Sequence, residues 1–424
     1  MDQSRSSSQG APTKATTRKA AMKVAGELVK AGHIAYFAGG CVRDRLMGNE
    51  PVDYDIATDA RPEEVGTIFR KVQRVGESFG VMLVRLMGHT IEVATFRSDG
   101  VYSDGRHPDE VTFSDAEHDA LRRDFTINGL FEEPRTGEII DHVGGQADLE
   151  TGIIRAIGDP QARLREDRLR MLRAVRFAAR FGFAIDEQTI DAIRKNAGQL
   201  EGVSRERIGQ EIRKMLSDAG RVIAVKTLQD LGLDGIILME DGRDEESLRI
   251  AGLVDGAIFS TVLGAWLLDR HAGRGEDHAE IAERWGRALM LSNEVLWGLK
   301  GCLEVYGTLK EGWRTLGIAG RKHLAVSKWF GAGLELLEAE DAGQSTTIRH
   351  QVAELAADGL APEPFLDGYD LLKTGISPGP SFGKLLEAVY DAQLEGAIQT
   401  KEEALALVAR LWSGLNNDEG MVPD

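Results

Sequence analysis

The first third of the chain alternates short apolar runs with polar turns, a pattern typical of mixed α and β structure. Apolar positions at helical spacing predict a first helix from about residue 17 to residue 31. The pattern then predicts, in order, a strand over 34–38, a helix over 41–48, a strand containing PVDYDIAT, a helix over 60–72, and strands over 80–86 and 90–96.

The pattern becomes helical after about Gly145 and is almost wholly helical from Ile153 onward. The stretch GISPGPSFG marks a late boundary, and helices are predicted after it over 384–398 and 401–412. The fold class is therefore α+β, with a small mixed sheet in an N-terminal region followed by helical regions.

Two carboxylates, Asp53 and Asp55, lie two residues apart in the PVDYDIAT segment. On a strand they point to one side, while Tyr54 and Ile56 point into the core. Oxygen ligands so close together suit a hard cation such as Mg²⁺. A single D-x-D is more often a polar edge strand with solvated acids, so neighbouring motifs decide between the two interpretations.

A net charge of -17 and a pI near 5.1 argue, on average, against a nucleic-acid partner. However, seven arginines lie between Arg163 and Arg180, against Glu166 and Asp167. This basic segment predicts a place where a polyanion is held locally.

The chain has two cysteines, Cys41 and Cys302, which cannot form a disulfide framework and indicate a reducing compartment. Its N-terminus has no apolar core region of a signal peptide, and no apolar run reaches transmembrane length. We therefore expect a cytoplasmic protein with no membrane partner. The sequence does not determine its oligomeric state.

Gly39 and Gly40 precede a predicted helix, where backbone amides and the helix dipole favour a phosphate. A glycine pair alone is more often a tight turn, but Arg43 and the nearby carboxylates favour a triphosphate site. Glu92, from a second strand, adds a third acid to the set that two-metal nucleotidyl transfer requires. Taken alone, Glu92 would more often be an exposed edge residue.

The segment LRRDFTINGL supplies Arg122, Arg123, Asp124 and Asn128. The arginines are suited to neutralising phosphate charge, and Asp124 to accepting a hydrogen bond from a ribose hydroxyl. For Arg122 and Asn128, a capped loop entering an apolar segment is an equally good interpretation.

Asp167 and Arg170 lie three residues apart and are expected to share one face of a helix. Such a pair is usually a solvated salt bridge, but it also matches the base edge of cytosine and adenine. The carboxylate would accept from the exocyclic amine, and the guanidinium would donate to the ring nitrogen. The predicted buried stripe of this helix consists of Met171, Leu172, Val175, Ala178 and Ala179.

Six motifs occur in the order expected of one family: GGCVRD, VDYDIAT, IEVATFR, RRDFTIN, EDRLRMLRAVRF and SRERIGQEIRKML. From about residue 20 to residue 220 the chain resembles the class II bacterial tRNA nucleotidyltransferases (CCA-adding enzymes), which share a head domain with bacterial poly(A) polymerases. The late segment GYDLLKTGISPGPSFGKLL also resembles the tail of this family.

The resemblance implies a polymerase-β-like head, then a helical neck, body and tail. The implied regions are a disordered tail over 1–16, the head over 17–145, the neck over 146–220, the body over 221–360 and a tRNA-binding tail over 361–424. It implies that Asp53 and Asp55 hold Mg²⁺, with Glu92 as third acid. The nucleotide-binding residues that we expect are Gly39, Gly40, Arg43, Arg123, Asp124, Asn128, Asp167, Arg170, Arg173 and Arg176.

The implied reaction is template-independent addition of CMP and AMP, from CTP and ATP, to the 3′ end of tRNA. DGVYSDGRHP resembles the loop that helps such enzymes switch from C to A, which favours full CCA or A addition. The alternatives are an A-adding enzyme, a poly(A) polymerase and a non-catalytic RNA-binding protein. A poly(A) polymerase would commonly have a basic C-terminal extension, whereas this chain ends NNDEGMVPD.

Further expectations concern single positions. Gly129 stands where the family usually has alanine, which we expect to loosen that turn. We predict that His271 and His278 are surface residues. Five tryptophans are expected in the core: Trp266, Trp285, Trp297, Trp313 and Trp329.

Overall fold

The computed structural model describes residues 14–74, 79–100, 102, 105, 110–242, 246 and 248–418. The chain divides into two compact units, residues 1–243 and residues 244–424. The predicted disordered tail falls outside the described residues up to residue 13, and a helix begins at Lys14. Within the described parts of the chain, no helix is both long and apolar enough to cross a bilayer.

The first unit is built around a mixed sheet. Its described strands are β1 (Ala35–Ala38), β2 (Asp55–Thr58), β3 (Val72–Arg74), β4 (Val81–Leu86), β5 (His89–Thr95), β6 (Arg97–Asp99), β7 (Val111–Phe113), β8 (Leu130–Glu132), β9 (Ile139–Asp141), β10 (Ile153–Ile154) and β11 (Ala184–Ile185). Among these, seven strands form the main sheet in the order β3, β4, β5, β2, β1, β8, β9. Within it, β2 and β5 run parallel and the other pairs are antiparallel.

The described helices of the first unit lie before, between and after these strands. They are α1 (Lys14–Lys30), α2 (Gly40–Leu46), α3 (Pro62–Ile68), α4 (Ala116–Leu121), α5 (Gly145–Thr151), α6 (Pro160–Glu166), α7 (Arg170–Phe181), α8 (Glu187–Asn196), α9 (Arg205–Leu216), α10 (Arg221–Asp230) and α11 (Asp234–Leu238).

Strand alternation divides the sheet into two faces. Val24 and Leu28 of α1 pack with Ile56 and Val93 in one apolar core. On the other face, Ala57 joins a smaller cluster with neighbouring aromatic residues. Because side chains alternate along β2 and β5, Asp55 and Glu92 share the face opposite α1.

The second unit is helical throughout its described residues. Its helices are α12 (Leu248–Gly252), α13 (Phe259–Arg270), α14 (His278–Ala288), α15 (Asn293–Gly307), α16 (Ile318–Ala325), α17 (Phe330–Glu340), α18 (Ala342–Ala357), α19 (Gly368–Lys373), α20 (Pro380–Leu394) and α21 (Lys401–Asp418). The fold class predicted from sequence, a mixed α and β head followed by helices, is confirmed.

Several local expectations differ from the structure. The strand of the D-x-D motif begins at Asp55, so Asp53 lies just before it rather than on it. His271 is not a surface residue, since it is 2% exposed and pairs with Glu276. Trp297 is not a core residue, because its side chain is 66% exposed on α15.

The turn at Gly129 is filled rather than loose. A Cβ at this position would lie 2.6 Å from Cγ2 of Val143 and 3.3 Å from Cδ1 of Ile157. The backbone of Gly129 has an ordinary φ of -89°. Space, not backbone conformation, therefore favours glycine here.

Candidate active site

A cleft of about 550 Å³ opens on the sheet face opposite α1. Twelve of the thirteen predicted site residues line it: Gly39, Gly40, Arg43, Asp55, Glu92, Arg123, Asp124, Asn128, Asp167, Arg170, Arg173 and Arg176. The remaining one, Asp53, lies outside the lining. Among the described residues, eight arginines and four carboxylates border this space, so the cleft is suited to a highly charged anion held together with a cation.

The glycine turn is a point of close backbone approach. Gly39 has φ +67°, in the region that favours glycine, and its N–H donates to the carbonyl of Leu130 at 3.0 Å. A Cβ on Gly39 would lie 2.8 Å from Nη1 of Arg123. Glycine at 39 therefore lets the guanidinium of Arg123 lie against the turn from which α2 begins.

The two carboxylates of the sheet are neighbours across paired strands. Asp55 and Glu92 are direct partners in the parallel register of β2 and β5. Asp55 is open to the cleft on one side, but its enclosure on the others is the largest cause of a raised pKa. The charges of Glu92 and Asp53 also raise this pKa and the charge of Arg123 lowers it, and together these causes bring it to about 6. Burial likewise raises the pKa of Glu92.

This carboxylate pair fits a divalent cation. Desolvated acids that repel each other are stabilised by a bound cation, and hard cations prefer oxygen ligands. Asp53 acts electrostatically on Asp55 and is a third oxygen donor nearby in sequence. No group of three or more His, Cys, Asp or Glu side chains, among the residues that the structure describes, is already arranged to hold a metal.

The wall opposite the carboxylates is made of arginines held by buried acids. Arg173 donates to Oδ2 of Asp124 from Nε at 2.8 Å and from Nη2 at 2.5 Å. Asn128 and the backbone N–H of Phe125 donate to the other oxygen, Oδ1. Burial acts to raise the pKa of Asp124, but the charge and hydrogen bonds of Arg173, with the hydrogen bond from Asn128, outweigh it and lower the pKa to about 2.

Asn128 connects this pair to the glycine turn. Its side-chain oxygen accepts a hydrogen bond from Nη1 of Arg43, and its backbone oxygen accepts from Nη1 of Arg123 at 3.2 Å. Arg43 also donates to Asp44 at 2.6 Å. Asn128 therefore orients two of the cleft arginines as well as Asp124.

The base-reading pair differs from the sequence prediction. Asp167 and Arg170 do not share one helix: α6 ends at Glu166, Asp167 has φ -139°, and α7 begins at Arg170. The carboxylate of Asp167 accepts from Nη2 of Arg207 at 2.8 Å. Arg170 pairs instead with Glu166, Nη1 to Oε2, at 2.6 Å. A break between the helices, rather than i,i+3 spacing on one helix, brings both side chains to the cleft.

An aromatic platform under the arginines was missed at the sequence level. The ring of Phe177, which is buried, lies beneath the guanidiniums of Arg176, Arg173 and Arg43, at 4.4, 5.2 and 5.3 Å from its centroid. Cation–π contacts of this kind hold guanidiniums in place. Phe177 follows Arg173 by four residues on α7, a spacing that could have revealed the contact.

Asp119 was also missed as a site residue. Its buried carboxylate accepts hydrogen bonds from both Arg122 and Arg123. The signal was present in the sequence, because Asp119 precedes the two arginines by three and four residues.

The loop over 99–108, which was expected to help switch from C to A, is described only at Asp99, Gly100, Tyr102 and Gly105. The remainder of that segment lies outside the described residues. Where the structure describes it, the Tyr102 hydroxyl donates to Asp99 at 2.5 Å.

Comparison with known proteins identifies two family regions. Residues 35–155 match the family described as Poly A polymerase head domain. Residues 182–239 match the family described as probable RNA and SrmB-binding site of polymerase A.

Similar proteins cover nearly the whole chain. The CCA-adding enzyme of Lactiplantibacillus plantarum is 33% identical over 411 residues, covering 94% of this chain and 97% of that protein. The CCA-adding enzyme of Geobacillus stearothermophilus is 32% identical over 400 residues, covering 91% and 95%. The crystal structure of the Bacillus stearothermophilus CCA-adding enzyme in complex with CTP is 29% identical, with a TM-score of 0.78 and coverage of 94% and 98%.

The fold is also similar to that of a more distant structure, the Thermotoga maritima CCA-adding enzyme complexed with tRNA, at 21% identity and a TM-score of 0.66. Similarity at 33% identity along almost the full length of both chains extends well beyond the head domain. The chain therefore belongs to the CCA-adding enzymes, a family of tRNA nucleotidyltransferases.

Proposed function

We propose that this chain completes the CCA end of tRNA by adding CMP and then AMP, from CTP and ATP, and releasing pyrophosphate. The observation that carries the proposal is one cleft in which paired-strand carboxylates face a wall of oriented arginines. Full-length similarity to CCA-adding enzymes supports it.

In each step the terminal hydroxyl of the RNA forms a bond to the α-phosphorus, and the bond from that phosphorus to pyrophosphate breaks. Enzymes of this family use divalent metals. We propose Mg²⁺ held by Asp53 and Asp55, with Glu92 as third acid; when bound, it would favour ionisation of the hydroxyl and neutralise pyrophosphate charge.

The chain's own residues bind and orient the nucleotide. We propose that Arg123, with Arg43 behind the glycine turn, meets the triphosphate. Both guanidiniums are already held by hydrogen bonds to Asn128. Orientation set in advance lowers the cost of ordering these groups when the nucleotide binds.

Asp167 and Arg170 would select the base. Asp167 has acceptor capacity beyond its pairing with Arg207, and Arg170 has donors beyond those used by Glu166. We propose that Asp167 accepts from the exocyclic amine of cytosine or adenine while Arg170 donates to the ring nitrogen. Uracil and guanine would leave both groups without a match.

The substrate and the two buried thiols, Cys41 and Cys302, support a cytoplasmic site of action. The test is to incubate the purified chain with Mg²⁺ and all four nucleoside triphosphates. It would be offered, in parallel, tRNA lacking CCA, tRNA ending in CC, and an unrelated RNA, and the 3′ ends would then be sequenced. CCA on the first substrate is the expected result.

The poly(A) polymerase head family suggests a second candidate function. Long A-tails on any RNA would indicate a poly(A) polymerase. One A added only to the CC-ending tRNA would indicate an A-adding specialist. No incorporation on any substrate would contradict nucleotidyl transfer itself and favour an RNA-binding protein.

A further inference from the structure

Asp119 is a buried acid that lies behind the cleft rather than in it. It belongs to α4 and is 1% exposed, and it is not among the residues that line the cleft. Its position therefore rules out direct contact with a bound nucleotide in this arrangement of the site, and any role in the reaction must act through its neighbours.

Those neighbours are two cleft arginines, each of which donates two hydrogen bonds to the carboxylate of Asp119. Oδ1 of Asp119 accepts from Arg122, at 3.0 Å from Nε and 2.7 Å from Nη2. Oδ2 accepts from Arg123, at 3.2 Å from Nε and 3.0 Å from Nη2. One carboxylate thus sets the direction of two guanidiniums that are adjacent in sequence.

Other contacts hold Arg123 in the same place. Its Nη1 donates to the carbonyl of Asn128 at 3.2 Å, and its guanidinium lies 4.9 Å from the ring centroid of Phe131. Arg122 lies 3.7 Å from a second acid, Asp99. Asp119 is the group that the two arginines share.

The charge of Asp119 is maintained by this arrangement. Burial acts to raise its pKa, but the positive charges of Arg123 and Arg122, with their hydrogen bonds, outweigh it and lower the pKa. Without the carboxylate, two guanidiniums would lie close together without their shared counter-charge. Their repulsion would move them away from this orientation.

We propose that Asp119 is a positioning residue for the triphosphate: its carboxylate holds Arg122 and Arg123 in the orientation that meets the phosphates of the incoming nucleotide. This inference rests on the proposed function, because it takes the anion of the cleft to be a nucleoside triphosphate. It assigns the second arginine, Arg122, to the same task as Arg123.

The test compares binding of CTP and CMP to the full-length chain carrying Asp119→Asn. This substitution keeps the shape of the side chain and removes its charge. Because the arginines act on the β- and γ-phosphates, the preference for CTP over CMP should fall about 10-fold or more. KM for CTP and for ATP should rise by a similar factor, with a smaller change in kcat and an unchanged choice of base.

The matched control is Glu117→Gln, which removes an exposed acid of the same helix. It should leave both the CTP preference and KM at parental values. Asp119→Glu keeps the charge but displaces the carboxylate by one methylene, so it should give an intermediate loss. If Asp119→Asn does not fold, the preference of Asp119→Glu for CTP over CMP tests the proposal instead.

A purely structural role gives a different result. Asp119→Asn would then weaken CTP and CMP binding equally, leaving their ratio unchanged, and the proposal would be overturned. If the parent protein incorporates no nucleotide, the proposed function fails separately. The CTP to CMP ratio still tests Asp119 in that case, because it needs no turnover.

Discussion

The two walls of the cleft differ in whether their charged side chains are paired with opposite charges. On the sheet wall, Asp55 and Glu92 are carboxylates placed side by side, and burial with mutual repulsion raises the pKa of Asp55 to about 6. On the arginine wall the guanidiniums are already paired with acids. The pairs are Arg122 and Arg123 with Asp119, Arg170 with Glu166, Arg173 with Asp124, and Arg176 with Glu211.

This difference predicts different effects for removing an acid from each wall. A carboxylate on the sheet wall is repelled by its neighbour, which opposes folding, so under the proposed function its removal should lower activity without lowering stability. An acid behind the arginine wall is paired in the folded state, so its removal should cost stability as well.

The largest effect is expected for Asp55→Asn. Nucleotide incorporation should fall about 1,000-fold, or about 4 kcal/mol of transition-state stabilisation, because the proposed metal would lose an oxygen ligand. The thermal midpoint should stay the same or rise, because repulsion with Glu92 is relieved. Single-turnover incorporation and calorimetry measure the two quantities.

The control for this substitution is Glu63→Gln, which removes an exposed acid in the first turn of α3. Glu63→Gln should change neither nucleotide incorporation nor the thermal midpoint. Asp53→Ala, just before the strand, should also abolish incorporation if Asp53 holds metal. Parental activity in either the Asp53 or the Asp55 variant would remove that residue from the mechanism.

The next effect concerns base choice. Asp167→Ala and Arg170→Ala should each reduce the discrimination of CTP and ATP against UTP and GTP about 10- to 100-fold, since the selective hydrogen bonds are lost. Competition among the four triphosphates, followed by sequencing of the added residues, measures the discrimination. Full retention of C and A preference in both variants would refute the pairing.

A smaller effect, on stability and pH, is expected for Asp124. Its folded pKa, about 2, lies below the ordinary value of 3.8, so its stabilising contribution is fully present above about pH 4 and is lost as pH falls toward 2. At neutral pH Asp124→Asn should lower the free energy of unfolding by about 2 kcal/mol. Denaturant titrations of parent and variant from pH 7 to pH 3 should show the gap narrowing at the acid end.

A constant gap between parent and Asp124→Asn across that range would show that the charge of Asp124 is not what stabilises the arginine wall. The stability of Asp124→Asn also distinguishes the arginine wall from the sheet wall. Asp55→Asn should show no comparable loss in the free energy of unfolding at neutral pH.

The smallest effect concerns the turn that follows Asn128. Gly129→Ala should destabilise the fold by about 1 kcal/mol, because the new methyl group would lie 2.6 Å from Cγ2 of Val143. Adding Val143→Ala should recover most of that loss in a double-mutant cycle. Equal stability of Gly129→Ala and parent would mean that Val143 shifts freely.

Much of the sheet wall was readable from the sequence. The alternation in PVDYDIAT and in the segment around Glu92 predicted which side chains leave the core, and Ile91 and Val93 are buried on either side of Glu92 as expected. Strand periodicity is local, so a few residues suffice to assign a face. The strand begins at Asp55, so it leaves out Asp53, because β2 pairs with β1 only from that position.

The arginine wall was less readable because its partners are distant in sequence. Asp124 and Arg173 are 49 residues apart, and Asp167 and Arg207 are 40 apart. Helical spacing predicted the buried stripe of α7 but not the break at Asp167, which depends on where α6 ends. Likewise the exposure of Trp297 and the burial of His271 depend on how helices pack, not on residue type.

The order of elements, the α+β class, the family and the chemical types of residue at the site all follow from the amino-acid sequence. These are local or ordered features, preserved in the linear pattern of apolar positions and motifs. The pairing of the charged side chains, in contrast, follows from the folded arrangement of the chain. Pairing depends on distances of a few ångströms between segments far apart in the chain, and that is why Asp124 is paired with Arg173 while Asp55 and Glu92 lie side by side.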